Sequence, residues 1–111
     1  MDLAKKHCVP CVGGTPPMSE REEDSYTKKT ELWFIVRDGT HKIRRQFKFK
    51  NFKDAMKFVN RVAEIAEKEG HHPDIKIVYN KVELELFTHK VNGLSENDFI
   101  MAAKIDNVNA N

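Results

Sequence analysis

A chain of 111 residues, 40% hydrophobic and 32% charged, suits one domain around one core and excludes a multidomain machine. A domain of this size buries roughly two-thirds of its unfolded surface, enough to fold without disulfide or metal staples. Nineteen Lys+Arg against 17 Asp+Glu leave a net charge of +2 with the signs interleaved, which argues against a dedicated nucleic-acid binder.

The first 18 residues, with Pro10, Gly13, Gly14, Pro16 and Pro17, are dense in breakers and are expected to form a flexible arm ahead of a single domain spanning 19–111. The amino terminus opens on charges, and no apolar run approaches the ~20 residues that cross a bilayer, so a cytoplasmic protein without membrane association is expected. Cys8-Val9-Pro10-Cys11 has the spacing of a redox or zinc half-site. No second half-site or βαβ unit accompanies it, so ordinary thiols are expected.

Ser19 and Glu22 have capping-box spacing and predict a short helix ending before Thr30. The β-formers of Glu31–Val36 and the return strand Lys42–Phe49 flank Asp38-Gly39, a hairpin turn pair. In the return strand Ile43, Phe47 and Phe49 mark a dry face, which Arg45 interrupts near an edge or a ligand. Asn51 and Asp54 cap a helix over 52–69 whose inner stripe is Ala55, Phe58, Val59, Val62, Ala63 and Ala66, with Gly70 as its left-handed stop. Strands Asp74–Tyr79 and Lys81–Thr88 follow, with Asn80-Lys81 as the turn. Leu94, Ser95, Asp98 and Phe99 carry the staple and cap of a final helix over about 96–107. The order α-β-β-α-β-β-α predicts an α+β fold: a four-stranded antiparallel sheet with helices packed on one face and the other face uncovered.

Three of the five histidines fall in 71–89. A hairpin returns its end to the level of its start, so His71 and His72 can meet His89 in space. Imidazole exchanges protons near neutral pH, and Glu67 and Asp98 are placed to orient such rings, so the cluster is a candidate acid/base site. The plainer readings are a surface turn at His71-His72-Pro73, a helix cap at Asp98 and a solvated charge at Glu67. No i, i+4 histidine pair suggests zinc, and no metal is expected.

Glu67, three residues, His71-His72-Pro73, five residues, Tyr79, nine residues, His89, eight residues and Asp98 together resemble the signature of the pterin-4a-carbinolamine dehydratases. The resemblance runs from about Cys8 to Ile105. It takes in Trp33, Arg45-Gln46-Phe47-Lys48-Phe49, the Phe52–Glu67 segment, Tyr79-Asn80-Lys81-Val82, Thr88-His89 and Gly93-Leu94-Ser95. It implies a cofactor-free hydro-lyase that dehydrates a 4a-hydroxytetrahydropterin to the quinonoid dihydropterin, recycling the cofactor of aromatic amino acid hydroxylases, and that forms a homo-oligomer, dimer or tetramer. His71 and His89 would move protons, and His72 would bind and orient the pterin. Glu67, Pro73, Thr88 and Asp98 would support them, while Trp33, Phe49 and Tyr79 would be aromatic walls or core. Animal members carry an aspartate where this chain has Gly70, so one carboxylate is missing here. The resemblance also implies an alternative, a non-catalytic interaction or dimerisation module on the same fold.

Overall fold

The computed structural model describes residues 2–10 and 13–110, so Cys11 of the expected cysteine pair lies outside the described residues. A 3-10 turn at Leu3–Lys5 precedes helix α1 (Glu20–Thr27), strands β1 (Phe34–Val36) and β2 (Lys42–Lys48), helix α2 (Phe52–Glu69), strands β3 (Asp74–Val78) and β4 (Lys81–Leu86), a 3-10 turn at His89–Val91, and helix α3 (Glu96–Ala110). The sheet is antiparallel throughout, in the order β1-β2-β4-β3. This is the expected α+β architecture.

Strand alternation divides the sheet as its pattern requires. Ile43, Phe47, Val82, Leu84 and Leu86 are buried with Phe58, Val59 and Val62 of α2 and Phe99, Ile100 and Ile105 of α3. On the other face Arg44 lies opposite Glu85 and donates through Nε at 2.7 Å, so opposite charges form cross-strand pairs on the uncovered surface.

Helix α2 has the predicted limits because three signals coincide. Asn51 Oδ1 accepts the Asp54 N–H at 2.8 Å, the apolar stripe recurs at helical spacing, and Gly70 takes φ +66°. Ala63 is exposed, since its direction falls beyond the stripe centred on Val59, Val62 and Ala66. In α1, Ser19 Oγ accepts the Glu22 N–H and Glu22 returns the bond to the Ser19 N–H, the reciprocal cap predicted.

Several expectations need correction. β1 is short, because turns continue past α1: the Thr30 N–H bonds Thr27 O and the Trp33 N–H bonds Thr30 O, removing Leu32 and Trp33 from the strand. Arg45 is on an interior strand, not an edge, and reaches Asp106 of α3 at 2.5 Å. The β3–β4 turn is centred on Tyr79-Asn80, one residue earlier than predicted, because Asn80 exchanges two hydrogen bonds with the backbone of Phe49. β4 stops at Leu86; Thr88 then bridges Gly93 around a small loop whose first residue is His89.

The segment expected as a loose arm holds a regular turn and lies against the domain. Leu3 is buried, the Ala4 carbonyl accepts from Lys104 Nζ at 2.8 Å, and Lys6 pairs with Glu96 at 2.8 Å. Farther along, a side chain on Gly93 would meet Pro17 Cβ at 2.6 Å, so glycine there permits the arm to brace the loop that carries His89. Among the described residues no helix is long and apolar enough to cross a membrane.

Candidate active site

Four stretches of chain enclose a cleft of about 470 Å³: Cys8–Pro10, Glu69–His72, Phe87–Lys90, and Asn97. The left-handed turn at Gly70 ends α2 and delivers His71 and His72 to this cleft, with the His71 N–H still bonded to Ala66 O at 3.2 Å. The loop closed by Thr88 and Gly93 presents His89 to the same space. All three predicted histidines therefore line one concavity.

Each ring is held differently. His71 Nε2 lies 2.6 Å from Asp98 Oδ1. Asp98 is wholly buried, and its other oxygen accepts from the Thr88 hydroxyl at 2.8 Å and the Ser95 N–H at 2.9 Å. The same carboxylate thus caps α3 and orients His71, uniting two readings that the sequence left as alternatives. As a carboxylate it only accepts, which puts the hydrogen of neutral His71 on Nε2 and leaves Nδ1 as the basic nitrogen. His72 Nε2 lies 2.5 Å from Glu67 Oε2, both side chains being largely exposed, so solvent weakens that pair. His89 is stacked on Phe87 with ring centroids 4.2 Å apart, and its nitrogens have no hydrogen bond to the other described residues.

Glu67 meets His72 rather than His71. Helical spacing favours the first histidine, but the Gly70 turn redirects the chain before either ring is placed. Pro73 adjoins the pair without lining the cleft. Tyr79 is exposed in the β3–β4 turn, at the opposite end of the hairpin from His72 and His89. Trp33 is 2% exposed in the core, where its indole N–H donates to Asp106 at 2.8 Å, and Phe49 stacks on Phe58 at 5.0 Å. Neither joins the cleft. No group of three His, Cys, Asp or Glu among the described residues is arranged to hold a metal ion.

Sequence reasoning missed Glu69 and Asn97, which hold the arm at the rim. Glu69 accepts the Cys8 N–H at 2.8 Å and faces His7 at 3.0 Å and Lys104 at 3.8 Å. Asn97 makes two bonds to the backbone of Val9. The only signal was a pair of polar residues, Asn97 and Asp98, opening an otherwise apolar helix face.

Burial pushes the Glu69 carboxyl up, but the Cys8 amide, His7 and Lys104 outweigh that and hold it below the usual 4.5. A carboxyl lowered by folding stabilises at pH above its unfolded value, and that contribution fades as pH falls through the folded value. Protection of the Cys8 amide, taken relative to its intrinsic exchange rate at each pH, is therefore expected to be full at neutral pH and to be lost as pH falls through the lowered Glu69 value, before the core amides of β4 lose theirs. Equal protection of the Cys8 amide at pH 7 and pH 3 contradicts this coupling.

The family described as Pterin 4 alpha carbinolamine dehydratase matches residues 16–108. A relative from Alkaliphilus metalliredigens (strain QYMF), named a pterin-4-alpha-carbinolamine dehydratase, is 50% identical over 106 residues, covering 95% of this chain and 94% of its own. One of the same name from Halorhodospira halophila (strain DSM 244 / SL1) is 48% identical over 110 residues, covering 99% and 100%. A crystal structure from Brucella melitensis, described as a transcriptional coactivator/pterin dehydratase, superposes with a TM-score of 0.78 at 36% identity, covering 83% of this chain and 97% of that one.

Proposed function

This chain belongs to the pterin-4-alpha-carbinolamine dehydratase family of hydro-lyases, and from that premise we propose that it dehydrates 4a-hydroxytetrahydropterin by histidine acid/base catalysis, recycling the pterin of aromatic amino acid hydroxylases. The C4a–O bond breaks, the neighbouring N5 loses its hydrogen, and a C4a=N5 double bond forms. A proton delivered to the departing hydroxyl makes water, a far better leaving group than hydroxide. His71 and His89 share this proton traffic, and His72 binds and orients the ring. Asp98 keeps His71 in one tautomer, and Glu67 supports His72. The scheme uses no metal or organic cofactor, because imidazoles carry both protons.

The observation that carries this reading is the shared cleft: three imidazoles from two separate stretches, one of them anchored to a buried carboxylate. A stopped-flow assay with chemically generated 4a-hydroxytetrahydropterin tests it. The wild-type protein is expected to accelerate loss of the 4a-hydroxyl, and His72→Ala to raise KM more than it lowers kcat. Wild-type protein that leaves the spontaneous rate unchanged overturns the assignment.

The coactivator description of the Brucella structure favours a second reading, a module that stabilises a protein partner. Loss of water at the spontaneous rate together with saturable binding of one defined protein would support it. Self-association fits either reading: β1 and β3 are open edges carrying exposed Phe34 and Val78.

A further inference from the structure

Residues His7–Pro10 precede the matched family region 16–108 and have no part in the proton scheme above, yet Cys8, Val9 and Pro10 line the histidine cleft. They are held from beneath by buried polar groups. Asn97 Oδ1 accepts the Val9 N–H at 3.0 Å while its Nδ2 donates to the Val9 carbonyl at 2.7 Å, a two-point clasp like that between paired strands. Glu69, its side chain 4% exposed, accepts the next amide back, that of Cys8. The Val9 side chain itself is 66% exposed. The clasp at this residue therefore does not serve to bury its apolar side chain; it fixes apolar surface at the mouth of a cleft.

We propose that His7–Pro10 is a strap forming one wall of the pterin cleft, with Asn97 and Glu69 as the positioning residues that hold it, an inference that rests on the dehydratase reading. A flat heterocycle beside His71, His72 and His89 needs cover that does not compete for protons. Val9 and Pro10 provide it: neither side chain is ionisable, and both have apolar surface to set against a ring. The strap contributes to substrate binding, leaving the proton steps to the histidines.

The test uses the full chain. Asn97→Ala is expected to speed hydrogen exchange at the Val9 amide and to raise KM for 4a-hydroxytetrahydropterin roughly tenfold, the equivalent of one or two lost hydrogen bonds, with kcat little changed. Val9→Lys alters an exposed side chain and leaves the clasp in place, so it is expected to raise KM without changing exchange. If Asn97→Ala does not fold, Val9→Lys decides alone. Wild-type KM in the folded variants overturns the strap. Failure of the wild-type protein itself to turn over the pterin is a separate result that removes the dehydratase reading, and the pterin wall with it.

Discussion

Replacing His71 by alanine is expected to lower kcat by roughly 10²–10⁴, the range for a positioned proton-transfer group, while the protein stays folded. The ring is near the surface of the cleft rather than in the hydrophobic core, so its removal leaves the apolar packing intact. A modest stability cost is expected even so, because Asp98 Oδ1 loses its imidazole partner. The two effects separate experimentally: kcat is read from single-turnover dehydration, stability from thermal unfolding. Wild-type kcat in a folded His71→Ala variant would remove His71 from the proton pathway.

Asp98→Ala is expected to damage stability as well as rate. The carboxylate is buried and receives donors from Thr88, Ser95 and His71, so alanine strands polar groups and deletes the cap of α3. Leaving buried donors unpaired costs about 1–3 kcal/mol each, and Thr88 recovers part through its bond to Ser95 Oγ. A net loss of about 2–4 kcal/mol is expected, lowering Tm by roughly 10 °C or more. Asp98→Asn separates the roles. It keeps the shape but replaces one acceptor by an NH₂ donor, so it is expected to retain most of the stability and still lose at least about tenfold in kcat through misorientation of His71. An Asn variant with full activity would reduce Asp98 to a helix cap.

The elements that could be read from sequence were those on which independent signals agreed. In α2 the cap, stripe and terminal glycine specify the same limits, and in α1 both halves of the capping box were visible as Ser19 and Glu22. β1 was overextended because Leu32 and Trp33 are good strand formers, whereas the backbone bonds after α1 that draw them into turns leave no pattern in the sequence. The histidine cleft was legible because hairpin geometry alone brings residues 72 and 89 to one end. The same geometry puts Tyr79 at the other end, which the family signature obscured by treating it as part of a single motif. Trp33, for which wall and core both stood open, is core, and the sequence could not decide between them for a different reason. Its partner, Asp106, is on a helix whose alignment across the sheet is set by tertiary packing. The hold on residues 7–10 was invisible for a similar reason: Glu69 and Asn97 act on backbone atoms about 60 and 90 positions away, where side-chain type carries no message.

Because the cleft draws on both ends of the chain, with Cys8–Pro10 at one rim and Asp98 anchoring His71 from α3, it has a consequence for biosynthesis. A nascent polypeptide emerging from the ribosome can shape the sheet and α2 first, but the contact that orients His71 must wait until α3 clears the exit tunnel and docks. Products that stop short of α3 would then lack the carboxylate that orients His71, so the cleft would take its full shape only after Asp98 is in place.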